Sequence, residues 1–138
     1  SEQRMKRVSE NLQRTGLEAE LVVDDGRTWR PERRVDAVLL DAPCTATGTL
    51  RRHPEGAWIK RPEDVARLQS LQFELIKSAI RMIKPGGRLI ICTCSLQPQE
   101  GEALANTISN YEALAPFAIT RTELDDLAES VTKGGFMR

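Results

Sequence analysis

The chain has 138 residues, 40% apolar and 29% charged, with 20 basic against 20 acidic side chains and a formal charge of zero. That composition suits one globular domain with a modest core and excludes a global basic field for nucleic acid. No apolar run approaches the roughly 18 residues of a membrane span, the opening SEQRMKRVSENLQ lacks the apolar stretch of a signal peptide, and three unframed cysteines argue against a disulfide scaffold and for free thiols in a reducing cytoplasm.

Met5, Val8 and Leu12 recur at helical spacing before Gly16, which predicts a helix over residues 1–16 that starts as if inside a longer protein. Residues 21–23 read as a short strand, followed by a turn at Asp24-Asp25-Gly26-Arg27 and a charged connection over 30–34. Residues 35–40 form the second strand, an apolar run that stops abruptly at Asp41, Pro43 and Cys44. Residues 45–61 keep no period and contain Gly48, Pro54 and Gly56, which predicts a long loop with at most one helical turn; such loops in compact domains are usually functional or disordered. Pro62-Glu63-Asp64 opens a long helix, with proline at its first position and acids in its first turn. Val65, Leu68, Leu71, Leu75, Ile76, Ala79, Ile80 and Ile83 keep the helical rhythm until Lys84-Pro85-Gly86-Gly87 ends it. Residues 88–94 are the third strand. A helix over 99–113, a strand over 117–120 and a short acidic helix or turn over 122–130 complete the expectation.

Strands alternating with helices predict an α/β fold with a parallel sheet and flanking helices. The right-handed crossover rule joins 35–40, the long helix and 88–94 into one βαβ unit. Cys44 and Cys94 then lie at the carboxyl edge of the sheet, where open α/β sheets bind their ligands.

A cysteine at a strand end becomes a nucleophile when its thiolate is stabilised, and Cys94 precedes a helix whose positive end starts near Pro98. Cys92 reads as a small core hydrophobe. Cys44, Cys92, Cys94 and the single histidine, His53, match paired zinc knuckles poorly, so no metal is expected. A cysteine hydrolase would need His53 as base, and no partner for it is evident. Asp41 ends its strand either as a cap or as a ligand for a polar substrate edge, and Asp25 follows residues 21–23 in the same manner. Arg51, Arg52, Lys60 and Arg61 surround one acid, Glu55, making a locally cationic segment that is either solvated charge or a phosphate site. Trp58 reads as the anchor of this loop to the core, with base stacking as the alternative.

Asp41-Ala42-Pro43-Cys44, with Thr45-Ala46-Thr47-Gly48 and Arg51-Arg52-His53-Pro54 after it, resembles the cytosine-C5 RNA methyltransferases. Thr93-Cys94-Ser95 after Lys84-Pro85-Gly86-Gly87 is similar to that family's second cysteine motif, and the spacing of 50 agrees. The likeness is to the bacterial 16S ribosomal RNA enzymes of the Fmu/Sun type. It implies a Rossmann-like, S-adenosylmethionine-dependent fold in which Cys94 adds to C6 of a single-stranded or flipped cytosine of ribosomal RNA. It further implies that Cys44 assists product release, with Cys44 as the alternative nucleophile. Asp41 would meet the cytosine edge or the cofactor, Asp25 the cofactor's adenosine, and Arg51, Arg52, Lys60 and Arg61 the RNA phosphates. Against the family, residues 1–138 read as the C-terminal part of a catalytic domain truncated at both ends, a partial fold lacking the strand of the cofactor loop. A catalytically incomplete fragment or an RNA- or partner-binding module is the alternative, and open strand edges predict self-association of the fragment.

Overall fold

A computed structural model describes residues 2–110. Helix α1 spans Glu2–Thr15. Gly16 closes it with φ +67°, a left-handed conformation that suits glycine, while the Leu17 N–H returns to the Leu12 carbonyl at 3.0 Å.

Residues 21–23 do not form the expected strand. Leu21, Val22 and Val23 are 39%, 43% and 57% exposed, and no strand among the described residues pairs with them. β propensity alone does not hold an extended segment whose backbone has no neighbour to bond. The following turn is real, since the N–H groups of Thr28 and Trp29 both donate to the Asp25 carbonyl. Ser78 ties this turn to the long helix: its hydroxyl donates to the Gly26 carbonyl at 2.6 Å and accepts from Arg30 Nη1 at 2.8 Å.

The expected βαβ unit is present. Strand β1 covers Val35–Asp41, helix α3 covers Pro62–Met82, and strand β2 covers Ile83–Cys92. Between β1 and α3 lie a 3-10 turn at Thr47–Thr49 and the short helix α2, Gly56–Ile59, one more turn than expected of the loop. Pro62 stands in the first turn of α3, and Asp64 accepts from the Arg61 N–H at 3.1 Å. The buried stripe of α3 contains Leu68, Gln72, Ile76, Ala79 and Met82.

Strands β1 and β2 run parallel, paired from Ala37↔Arg88 to Asp41↔Cys92, with a further pair Val35↔Ile83 across an irregularity. Strand β2 therefore begins at Ile83, five residues before the sequence suggests. The Pro-Gly-Gly signal marks a bulge within the strand instead of a linker before it. Gly86 adopts φ +78°, and a Cβ on Gly87 would fall 2.6 Å from the Asp36 carbonyl oxygen, so this crossing needs glycine.

Val38, Leu40 and Leu89 are half-buried, whereas Leu39 and Ile90 are 67% and 49% exposed. The alternation follows the two-residue period of a strand, with one apolar face left to solvent. Cys92 is exposed as well, which overturns its reading as a core residue. A 3-10 turn at Pro98–Glu100 and helix α4, Glu102–Ser109, replace the single helix expected from residue 99. The chain divides into two compact units, Ser1–Leu104 and Ala105–Arg138. The residues treated below all belong to the first; the described part of the second is residues 105–110. The strand expected at 117–120 and the helix expected at 122–130 lie outside the described residues.

Candidate active site

The parallel ladder continues one residue past β1, where the buried Ala42 donates to the Cys92 carbonyl at 3.3 Å. Both chains then leave the sheet at the same edge. The Gly48 N–H donates to the Cys94 carbonyl at 2.9 Å, and the Leu96 N–H donates to Thr47 Oγ1 at 2.8 Å. A Cβ on Gly48 would sit 2.7 Å from the Cys94 carbonyl oxygen, so only glycine lets the two loops approach this closely. Ala46, two residues earlier, has φ 55°, the only positive φ at a non-glycine position among the described residues. An alanine held there costs on the order of 1–2 kcal/mol, which the surrounding hydrogen bonds must offset.

These loops bring Cys44 Sγ and Cys94 Sγ to 3.4 Å, within hydrogen-bonding reach. Cys44 is half-buried and Cys94 is exposed. Burial pushes the Cys44 thiol up, but hydrogen bonds from Thr93, Cys94 and the N–H groups of Cys94 and Ala46 outweigh it and leave its pKa below the ordinary thiol range. The Cys94 thiol is pushed up by its bond to Cys44, then by burial and by the nearby charges of Cys44 and Asp41. Two sulfurs this close share a proton: the pair loses the first below the usual range and the second above it. The helix end expected near Pro98 is a 3-10 turn over Pro98–Glu100 instead, and the largest influence on the Cys94 thiol is its bond to Cys44.

Asp41 stands exposed at the end of β1, near enough for its charge to act on Cys94. Its carboxylate has no hydrogen-bond partner among the described residues and is open to solvent. Asp25 is placed differently. Its two oxygens are held by the forked Arg27 side chain at 2.6–3.1 Å, and Arg27 also reaches Glu74 of α3 at 3.5 Å. That fork, with the Arg27 backbone N–H that also donates to Asp25 Oδ1, lowers the Asp25 pKa to about 2. Among the described residues no hydrogen bond or ion pair joins Asp25 to Cys44, Cys94 or Asp41.

Arg51, Arg52, Lys60 and Arg61 are all exposed and flank α2. Trp58 within α2 is 90% exposed and Ile59 is 65% exposed, so the tryptophan does not anchor the loop to the core. His53 sits 3.3 Å from Glu55 and makes no pair with a cysteine among the described residues.

Three residues that hold the site were missed from sequence. Glu100 is 1% exposed and Gln72 is fully buried, both hydrogen-bonded to the Cys44 loop and to each other, and Thr45 is the buried partner of Glu100. Gln72 did carry a signal, as a polar residue in the apolar row Leu68, Gln72, Ile76, Ala79. Glu100 carried none, since an acid beside Pro98 reads as an exposed first-turn residue.

A family model described as 16S rRNA methyltransferase RsmB/F matches residues 1–133. The chain is 48% identical over 117 residues to ribosomal RNA small subunit methyltransferase B of Sodalis glossinidius, covering 81% of this chain and 27% of that protein. It is 42% identical over 127 residues to the protein of the same name from Yersinia enterocolitica, covering 90% and 28%. Among solved structures, PH0851 superposes with a TM-score of 0.75 at 40% identity, over 80% of this chain and 26% of that one. NSun6 from Pyrococcus horikoshii, solved with SFG, superposes with a TM-score of 0.66 at 30% identity, over 78% and 28%. The chain thus spans about a quarter of the length of the proteins it matches.

Proposed function

Because the chain belongs to the 16S rRNA methyltransferase RsmB/F family, we propose that it supplies the cysteine-bearing part of a site that methylates C5 of a cytosine in ribosomal RNA. The observation that carries this reading is the 3.4 Å approach of Cys44 and Cys94 near the exposed carboxylate of Asp41. Cys94 is the exposed member of the pair and the one a flat base can reach. Cys44, the member of the pair that loses its proton first, accepts the Cys94 proton along the S–H···S contact, and the freed Cys94 thiolate forms an S–C6 bond while the C5–C6 π pair moves to C5. Asp41 accepts a hydrogen bond from the base edge and holds it over the sulfur. S-adenosylmethionine, when bound, would supply an electrophilic methyl group to the electron pair at C5, with S-adenosylhomocysteine as the leaving group. A base then takes the C5 proton, the electron pair re-forms the double bond, and Cys94 leaves. Cys44 acts in that release, as a thiol already in contact with the departing sulfur.

The donor set suits such a cofactor in part. Asp41 offers oxygens without a partner among the described residues at a strand end, the position from which an acid meets a bound nucleoside. Asp25 would take the adenosine only with the lone pairs that Arg27 leaves. The target base must leave its stack to meet Cys94. Arg51, Arg52, Lys60 and Arg61 supply phosphate contacts, and Trp58, exposed among them, supplies a stacking face. The protein works in the cytoplasm, where its thiols stay reduced.

Covalent capture tests the assignment. The intact enzyme should form a stable adduct with RNA carrying 5-azacytidine, and Cys94→Ser should abolish it. An adduct that survives Cys94→Ser but is lost in Cys44→Ser would make Cys44 the nucleophile. A second reading, that these 138 residues act as a catalytically incomplete part of a larger domain, is favoured by the open apolar face of Leu39 and Ile90. Calorimetry of the 138-residue chain with millimolar S-adenosylmethionine separates the two: binding heat supports a working cofactor site, and none supports the incomplete unit.

A further inference from the structure

Glu100 lies just beyond the Cys94 loop, yet its partners belong to the Cys44 loop and to α3. It accepts the Thr45 N–H at 3.0 and 3.1 Å, the Thr45 hydroxyl at 2.5 Å and Gln72 Nε2 at 3.1 Å. Gln72 Nε2 also donates to the Pro43 carbonyl at 2.9 Å, so both residues flanking Cys44 are held. Every partner of the Glu100 carboxylate among the described residues is a donor, the set that matches an acceptor-only group.

That requirement propagates. The Thr45 hydroxyl gives its proton to Glu100, so Thr45 Oγ1 accepts from Ser95 Oγ at 2.9 Å. Ser95 Oγ then accepts from Thr47 Oγ1 at 3.2 Å and from the Gln97 N–H, and Thr47 Oγ1 accepts from the Leu96 N–H. All three hydroxyl protons point one way, and the chain crosses between the two cysteine loops three times before it ends on Glu100. Hydrogen bonds in such a series polarise one another, and a buried carboxyl group is the strongest acceptor it could end on.

We propose that Glu100 is the positioning residue of the cysteine pair, the terminal acceptor that sets the direction of this chain and so fixes Cys44 against Cys94. It touches neither sulfur and acts through Thr45. The proposal deepens the reading above and rests on it only for the consequence in catalysis.

The decisive variant is Glu100→Gln, which keeps the volume but offers an amide donor where only donors converge. In the full chain carrying Cys92→Ser to silence the third thiol, alkylation of Cys44 and of Cys94 is followed separately across pH by peptide mass spectrometry. The two profiles should converge on that of an ordinary thiol while thermal unfolding stays cooperative. A folded Glu100→Gln with both profiles unchanged overturns the proposal. If Glu100→Gln does not fold, Thr45→Val decides: it keeps the backbone bond to Glu100 and breaks only the hydroxyl chain. A partial convergence supports the proposal, and unchanged profiles overturn it. In the intact enzyme, Glu100→Gln should accumulate the protein–RNA complex that Cys44→Ala accumulates. Moved thiol profiles together with a Cys44→Ala that traps nothing would remove Cys44 from product release and leave the positioning role standing. Trapping in Cys44→Ala alone, with unmoved profiles in Glu100→Gln, would remove the positioning role.

Discussion

Cys44 Sγ and Cys94 Sγ lie 3.4 Å apart across a separation of 50 residues. The largest influence raising the Cys94 thiol is its bond to Cys44. Cys44→Ala should therefore bring the Cys94 pKa down toward the ordinary thiol range. The measurement is the pH dependence of thiolate absorbance in a Cys92→Ser background. A Cys94 profile that stays high without Cys44 would assign the shift to burial or to Asp41 instead.

Gly87 makes the bulge of β2 possible. A Cβ there meets the Asp36 carbonyl oxygen at 2.6 Å, backbone that cannot yield without disturbing the β1–β2 ladder. Gly87→Ala should cost about 1–3 kcal/mol in denaturant unfolding, the range of overpacked sites. A cost near zero would mean that the bulge relaxes freely.

The cationic stretch makes a prediction in salt. Replacing Arg51, Arg52, Lys60 and Arg61 with alanine should weaken RNA binding and flatten its dependence on salt. On a single strand the log–log slope should fall by roughly 0.7 for each phosphate that these side chains no longer neutralise. Trp58→Ala should instead weaken binding by a similar factor at every salt concentration, because stacking releases no counterions. An unchanged slope after removal of all four charges would leave the stretch as solvated surface.

Arg27 should govern the titration of Asp25. Its fork, together with its backbone N–H, takes the carboxyl from an ordinary 3.8 to about 2. A carboxylate whose folded pKa is depressed contributes stability that is complete above the unfolded pKa and lost as pH falls through the folded one. The contribution is therefore intact at neutral pH and disappears between about 4 and 2, and it is small because the pair is exposed. Carbon-detected NMR should find the Asp25 midpoint near 2 in the parent chain and higher in Arg27→Gln, though still depressed by the backbone N–H of residue 27, which the substitution keeps. Equal midpoints would show that the fork does not persist in solution.

Both outer edges of the β1–β2 sheet lack a partner strand among the described residues, and Leu39 and Ile90 are open on one face. Unpaired edges recruit other chains. The 138-residue chain should associate with a second copy in analytical ultracentrifugation, with a concentration dependence that Leu39→Lys weakens. A monodisperse monomer would show that the edges are protected.

Local pattern determined a definite part of this protein. The seven apolar positions from Val65 to Ile80 declared α3, because a 3.6-residue rhythm sustained along a helix has one regular solution, while Ile83, in the same rhythm, opens β2. The apolar run ending at Asp41 and the one ending at Cys92 declared parallel strands, because two runs joined by a helix pair in one hand. The two cysteine motifs followed from their own letters. Tertiary structure decided what depends on a partner elsewhere in the chain. Residues 21–23 have strand letters and no strand, since a strand exists only beside another. Cys92 and Trp58 look like core and are exposed, since burial needs a second surface to close over the side chain. Glu100 looks like surface and is buried, because Thr45 and Gln72, from 55 and 28 residues away, supply the donors that make burying a carboxyl group tolerable.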